Sequence, residues 1–179
     1  MAIRIDPGET FQRMFSSLRS LLGGEKIKWD NHDSIHLTLA FLGDTEEEWI
    51  KIAGIVLKQK CTDFGEFTCT LEGTGVFRNY NDPRVIWAGI RNSDKLIELN
   101  KQIVAGLRDT GFRIEERQFR PHVTFGRVRS IKDFESFRSA VSRYQDTFFQ
   151  DVPVREVILY ESILRPEGSV YRELGKFHL

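Results

Sequence analysis

The stretch that decides the fold is Pro121-His122-Val123-Thr124-Phe125-Gly126-Arg127, because an earlier part of the chain repeats its pattern. The earlier copy is Ile35-His36-Leu37-Thr38-Leu39-Ala40-Phe41. Each copy has a histidine, an aliphatic residue, a threonine, a large apolar residue and a small residue, in that order. Each lies in a run of residues that is typical of a β-strand. The repeat therefore predicts two related strands in two related parts of the chain.

The side chains of a β-strand point alternately to its two faces, so residues two apart share a face. His36 and Thr38 therefore project together, and so do His122 and Thr124. The apolar residues between them point to the opposite face, where a core would lie behind the sheet. The pattern thus predicts an imidazole beside a hydroxyl on two different strands.

The composition is that of a globular protein. The 179 residues are 40% hydrophobic and 29% charged, with 26 basic and 26 acidic residues and a formal net charge of zero. A chain without excess positive charge is unsuited to broad electrostatic binding of duplex nucleic acid. A local excess remains around the second motif, since residues 108–132 hold seven Lys or Arg residues against three acidic residues.

The sequence also predicts the compartment. Cys61 and Cys69 have neither the spacing of metal ligands nor that of a disulfide framework, which favours a reducing environment. No apolar run approaches the roughly 18 residues that a membrane span needs, and residues 1–7 lack the charged and apolar regions of a signal peptide. We therefore expect a cytoplasmic protein that does not bind a membrane.

The spacing of apolar residues predicts a mixed α+β protein. It indicates four helices, the first two beginning with capping boxes at residues 6–9 and 45–48. The motif strands are expected at residues 35–42 and 119–128, with a loop over residues 78–84 between two further strands.

This order of elements predicts one bilobal α+β domain over residues 1–179. We expect two pseudo-symmetric halves, roughly 1–92 and 93–179, each with an antiparallel sheet, flanking helices and one His-x-Thr motif. The two motifs would face one another across a shared active-site cleft.

Two histidines on opposite sides of a phosphate form an acid–base pair. Because the ordinary pKa of histidine is about 6.5, a neutral imidazole takes a proton from the nucleophile while a protonated one gives a proton to the departing oxygen. The adjacent threonine hydroxyls would donate hydrogen bonds to the phosphate oxygens as negative charge develops. Two distant histidines without a carboxylate or thiolate cluster do not resemble a zinc site, so no metal or other cofactor is expected.

Both motifs resemble the paired motifs of the 2H phosphoesterase superfamily; they are His36-Leu37-Thr38-Leu39 and His122-Val123-Thr124-Phe125. The closest resemblance is to the RNA 2′,3′-cyclic phosphodiesterases, historically called 2′-5′ RNA ligases. The likeness extends over nearly the whole chain, including residues 37–43, Arg127 and residues 159–171.

The resemblance implies a bilobal fold with a central cleft, no metal, and hydrolysis of a 2′,3′-cyclic phosphate to a 2′-phosphomonoester. By analogy, His122 would activate water, His36 would protonate the leaving 3′ oxygen, and Thr38 and Thr124 would hold the phosphate. The expected partners are RNA 3′ ends or nucleoside 2′,3′-cyclic phosphates, bound by a monomer.

Three further residues are candidate substrate contacts. Arg127 would bind the phosphate or nucleotide through its forked guanidinium. Strict alternation turns Arg127 away from His122, so this role requires a bulge, which Gly126 would allow. Phe41 would stack on a nucleobase, or be an ordinary core residue. Arg120, on the face of His122, would be a second phosphate contact or a solvated charge at the rim.

Two alternatives to the cyclic phosphodiesterase stay open on the sequence. The same acid–base pair would serve a 2′-5′ phosphodiester ligase or esterase that acts on oligonucleotides. A non-catalytic module that binds RNA ends would keep the cleft without the chemistry, although it would not need both histidines.

Overall fold

The computed structural model describes residues 1–31, 34–114, 118–165 and 168–179. The helices are α1 (Glu9–Leu21), α2 (Glu47–Cys61), α3 (Asp94–Asp109) and α4 (Phe134–Ser142). The strands are β1 (Ala2–Arg4), β2 (Lys26–Trp29), β3 (His36–Thr38), β4 (Phe67–Asn79), β5 (Asp82–Arg91), β6 (His122–Ser130), β7 (Phe148–Val154), β8 (Glu156–Arg165) and β9 (Gly168–His178). None of these helices is long and apolar enough to cross a membrane.

In the described part of the chain, the strands form one antiparallel sheet in the order β7-β4-β5-β6-β3-β1-β8-β9, with β2 paired to β6. The two motif strands, β6 and β3, are neighbours at its centre. Helices α1 and α4 contact the flank that holds β7 and β4, and α2 contacts β8 and β9 on the other flank, with α3 packed on α2. The predicted α+β class, with an antiparallel sheet and flanking helices, is confirmed.

Each flank of the sheet combines strands from distant parts of the chain. β1 and β3 lie beside β8 and β9, whereas β4 and β5 lie beside β6 and β7. A division of the chain near residue 92 therefore does not coincide with the boundary between the two flanks. The pseudo-repeat of residues 1–92 and 93–179 stays a prediction.

The apolar residues of both motifs form the core, as the alternation predicts. Leu37, Leu39, Val123 and Phe125 are each no more than 4% exposed. Burial of such side chains stabilises a fold by roughly 1.5–3 kcal/mol each. The faces of β3 and β6 are thereby fixed, because a shift of one residue would bury the polar residues instead.

A β-bulge interrupts β6 directly after the second motif. Thr124 and Gly126, two residues apart, pair with the consecutive residues 87 and 86 of β5. A strand with one extra residue reverses its alternation beyond that point. Arg127 therefore lies on the same face of the sheet as His122, and the bulge that its predicted role required is present.

Aromatic rings hold this bulge in place. The ring of Phe125 stacks on that of Trp29 with centroids 6.4 Å apart. Phe11 and Phe15 of α1 pack edge-to-face against Phe125 at 5.7 and 5.8 Å. A Cβ atom on Gly126 would lie only 3.1 Å from the ring of Trp29. The absence of a side chain at Gly126 thus lets Trp29 close over the bulge.

Several element boundaries differ from the predictions. α1 and α2 begin at Glu9 and Glu47, inside the predicted capping boxes rather than directly after their first residues, and neither N-terminus has a side-chain cap hydrogen bond. The predicted loop over residues 78–84 is wrong, because β4 extends to Asn79 and β5 begins at Asp82. No sequence pattern predicted β2 or β7.

Replacing Gly126 with valine should destabilise the protein by about 1–3 kcal/mol, because the added side chain meets a Trp29 ring that Phe15 and Phe125 hold in place. Urea unfolding measures this difference in the free energy of unfolding. The matched control is Gly24→Val, since a Cβ atom on Gly24 meets nothing within 4 Å. Equal midpoints and slopes for both variants would contradict the packing argument.

Candidate active site

The pairing of β3 with β6 brings the two motifs together. The middle residue of β3 lies opposite the second residue of β6. This antiparallel register sets His36 opposite Thr124 and Thr38 opposite His122. Opposite side chains in such a pair have Cβ atoms about 4.5–5.5 Å apart, and diagonal neighbours are about 7–8 Å apart. The four residues therefore form a compact quadrilateral on one face, with the histidines at opposite corners.

Each imidazole is oriented by a carbonyl of its own chain segment. Nδ1 of His36 donates to the backbone oxygen of Ser34 at 2.7 Å, and Nδ1 of His122 donates to that of Arg120 at 2.6 Å. A carbonyl oxygen only accepts, so each Nδ1 carries the hydrogen. The neutral form of each ring consequently has its lone pair on Nε2, where it is available for proton transfer.

An aromatic ring from another strand packs against each histidine. Tyr171 of β9 lies edge-to-face with His36 at 4.7 Å, and Tyr160 of β8 is 6.2 Å away. Phe77 of β4 packs edge-to-face against His122 at 4.6 Å. These contacts restrict rotation of both imidazoles, so each ring is held from two directions.

The electrostatic surroundings keep both histidines neutral more readily than free histidine. Burial lowers the pKa of His36 and of His122, and the nearby positive charge of Arg127 lowers both further. The hydrogen bonds to Ser34 and Arg120 act in the opposite direction without cancelling the effect of burial. The lowered pKa favours the neutral form of each side chain near neutral pH.

Asp30 is a candidate functional residue that sequence reasoning missed. Lys28 of β2 lies opposite Arg127, and alternation places Asp30 on the same face, just beyond the end of β2. The backbone N–H of Asp30 donates to the oxygen of Phe125 at 3.0 Å. Burial raises the pKa of the Asp30 carboxyl, and the charges of Arg127, His36 and Lys28 oppose that rise. Only the pairing of β2 with β6 reveals this placement.

A cleft with a volume of about 1210 Å³ lies beside the motifs, between the segment after β3, helix α3 and the segment before β6. Of the candidate residues, it is lined by Thr38, Phe41, Arg120 and His122. His36, Thr124 and Arg127 do not line it. Lys101, Arg108 and Arg113 add basic groups to its wall; Arg117, from the same basic stretch, lies outside the described residues.

The structure excludes one of the two alternatives for Phe41 and leaves stacking on a nucleobase as a prediction. Its side chain is 77% exposed, so the interpretation as a core residue is wrong. The segment that carries it is held by Asn100 of α3, whose side-chain amide donates to the backbone oxygen of Leu39 at 2.8 Å. Arg120 is exposed at the rim, and its backbone oxygen is also the acceptor that orients His122.

Among the residues that the structure describes, no three His, Cys, Asp or Glu side chains come together in a way that could hold a metal ion. Metal independence of any reaction at the site stays a prediction.

Comparison with known proteins places the chain in a family. Residues 3–163 match the profile of the 2′-5′ RNA ligase superfamily. The chain belongs to that superfamily. It is 33% identical to an RNA 2′,3′-cyclic phosphodiesterase of Archaeoglobus fulgidus over 160 residues, which cover 89% of this chain and 88% of the relative. It is 32% identical to one of Thermotoga maritima over 176 residues, covering 96% and 91%.

Solved structures share the fold of this 2′-5′ RNA ligase superfamily member. A protein of Thermus thermophilus superimposes with a TM-score of 0.80 at 25% sequence identity, covering 99% of this chain and 95% of the other. LigT of E. coli, in a complex with 3′-AMP, gives a TM-score of 0.74 at 23% identity with the same coverage. At that identity the likeness to LigT shows the fold alone.

The carbonyl contacts of the two histidines predict one tautomer for both. In the neutral state, His36 and His122 should carry hydrogen on Nδ1, and both should titrate below the ordinary pKa of histidine because burial disfavours the charged form. Long-range ¹H–¹⁵N NMR spectra recorded across a pH titration report both properties. Hydrogen on Nε2 of either neutral ring would contradict the geometry.

Proposed function

We propose that this chain is an RNA 2′,3′-cyclic phosphodiesterase that uses its two histidines as a metal-independent acid–base pair. The observation that carries the proposal is the pairing of β3 with β6, which sets His36 and His122 at opposite corners of one polar quadrilateral. The names of the relatives from Archaeoglobus fulgidus and Thermotoga maritima support the same activity. The product would be a 2′-phosphomonoester.

The reaction would be an in-line attack of water on the cyclic phosphate. Nε2 of neutral His122 accepts a proton from the attacking water as the new phosphorus–oxygen bond forms. The bond from phosphorus to the 3′ oxygen breaks, and protonated His36 gives its proton to that oxygen. One water is consumed, and the products are a 2′-phosphate and a free 3′ hydroxyl. The two histidines end with exchanged protonation states, which solvent restores.

The remaining polar residues of this face would stabilise the transition state. Thr38 and Thr124 donate hydroxyl hydrogen bonds to the non-bridging phosphate oxygens, where negative charge increases. Arg127, brought to this face by the bulge in β6, adds a forked cation for the same oxygens. Because its positive charge also lowers the pKa of both histidines, it favours the neutral base.

The cleft beside the motifs would receive the RNA. Phe41, exposed on its wall, offers a flat ring on which an unpaired base stacks, and Arg120 offers a second phosphate contact at the rim. All the proposed groups come from one chain, so a monomer would suffice. Cys61 and Cys69 are buried free thiols, which fits the proposed cytoplasmic setting.

Alanine at either histidine tests the acid–base pair. His36→Ala and His122→Ala should each lower kcat by about 10²–10⁴-fold, because a proton donor or acceptor is lost. The measurement is hydrolysis of an oligonucleotide that ends in a 2′,3′-cyclic phosphate, with the terminal phosphate position identified by NMR or chromatography. EDTA should leave the rate unchanged.

The matched control is His178→Ala, an exposed histidine on β9 that should retain full activity. Near-normal turnover by His122→Ala, or no turnover by the purified protein, would overturn the proposal and favour a module that only binds RNA ends. A ligase or esterase would instead join or cleave 2′-5′-linked oligonucleotides in the same assay.

Arg127→Lys tests the phosphate contact. Lysine keeps the charge but loses the forked geometry, so kcat/KM should fall by about 10- to 100-fold, as expected for the loss of one charge-assisted hydrogen bond. Arg129→Lys, which changes an exposed residue further along β6, is the control for effects of the substitution itself. Equal kcat/KM values for the two variants would contradict a phosphate contact by Arg127.

A further inference from the structure

The two histidines have closely matched surroundings, yet the reaction needs them in opposite protonation states. Each has a carbonyl acceptor at Nδ1 and an aromatic ring against its side. Each is affected by the positive charge of Arg127. These shared features give no reason why one histidine should be the acid and the other the base.

Asp30 makes the surroundings of the two histidines differ, because its negative charge interacts with His36 and not with His122. Its carboxylate interacts favourably with His36 and with Arg127, whereas no such interaction with Asp30 contributes at His122. The sheet explains this asymmetry. β2 pairs with β6 at Trp29–Gly126, beyond the bulge, while His122 lies at the opposite end of β6.

The position of Asp30 is fixed by a backbone hydrogen bond and by the packing of the residue before it. Its N–H bond to the oxygen of Phe125 continues the β2–β6 ladder onto the bulge itself. Trp29, immediately before it, is packed on Phe125 and Phe15. The carboxylate therefore projects from an anchored segment, and the face that it shares with Arg127 follows from the pairing of Lys28 with Arg127.

We propose that Asp30 is a positioning residue that makes His36 the proton donor and leaves His122 as the proton acceptor. This inference rests on the proposed function and extends it to the direction of proton transfer. A negative charge near an imidazole stabilises its protonated form. Without Asp30, Arg127 would disfavour protonation of both histidines, and the acid of the reaction would lose its stabilising partner.

Other groups also face His36, and none supplies the same effect in the described part of the chain. Arg4 of β1 lies opposite His36 and is ion-paired with Glu173 of β9. Tyr160 and Tyr171 contribute rings from β8 and β9. The positive charge of Arg127 opposes protonation of His36, and so does the amino group of Met1 when it is charged. Asp30 is the acidic group whose charge raises the pKa of His36.

The test is Asp30→Asn, which keeps the shape of the side chain and removes its charge. In wild type, kcat/KM should follow a bell-shaped pH profile, with the alkaline limb set by loss of the proton from the acid. In Asp30→Asn this alkaline limb should move to lower pH by about 0.5–1 unit. At pH values above the limb, kcat/KM should therefore be about 3- to 10-fold lower than in wild type. The acid limb should stay in place.

Two further variants separate charge from structure. Asp30→Glu restores the charge and should return the alkaline limb toward wild type. Glu25→Gln removes a carboxylate at the other end of β2, where it accepts hydrogen bonds from the backbone N–H groups of Lys132 and Asp133, and should move neither limb. NMR titration of the imidazoles gives a readout independent of turnover, in which Asp30→Asn lowers the pKa of His36 more than that of His122.

An active wild-type enzyme whose profile is unchanged by Asp30→Asn would overturn this inference while leaving the proposed function intact. Movement of the acid limb alone would also overturn it, because His36 would then be the base. An inactive wild-type enzyme would overturn the proposed function itself, and the NMR titration would still decide whether Asp30 favours the protonated form of His36.

Discussion

The pairing of β3 with β6 is the contact on which the rest of the structure depends. β3 has only three residues. The side chain of Leu37 enters the core, whereas those of His36 and Thr38 remain on the polar face of the sheet. β6 divides its residues in the same way. The core therefore fixes the site, because burial of the apolar residues is what opposes a shift in register. Chemistry and stability are set by the same two strands.

The bulge in β6 determines which charged residues lie on the polar face beside the motifs. Regular alternation would turn Arg127 away from the face that holds the two histidines and the two threonines. The extra residue reverses the alternation and brings Arg127 to that face, and the pairing of β2 beyond it brings Asp30. Phe125 at the bulge is packed by the rings of Phe11, Phe15 and Trp29 on the opposite side of the sheet. These rings thus stabilise the bulge that places Arg127 on the polar face.

The sequence was sufficient for features that depend on local periodicity. The faces of both motifs, the burial of Leu37 and Val123 and the need for a bulge near Gly126 all follow from alternation along one strand. The neighbours of the histidines do not, because Phe77 and Tyr171 come from strands whose register no local pattern specifies. Asp30 was missed for the same reason, since its role depends on a strand, β2, that was not recognised.

Helix starts show how tertiary contacts override local preference. The predicted cap at residue 6 is a sound local signal, yet Gly8 becomes the N-cap of α1 and its N–H donates to the side chain of Gln150 in β7. A distant residue thereby replaces the local cap. The hairpin of β4 and β5 shows the opposite case, in which the Asn79 side chain accepts from the N–H groups of Asn81 and Asp82 and closes a tight turn.

The exchange of strands between the two flanks has a consequence for biosynthesis. Ala2 pairs with Ile158, so β1 meets its outer neighbour only after the ribosome has synthesised β8. Until then the nascent chain exposes an open edge beside β1, of the kind that invites intermolecular pairing. Contacts so distant along the chain are also slow to form. Closure of the flank that carries His36 therefore has to wait for β8, whatever the order in which the helices form.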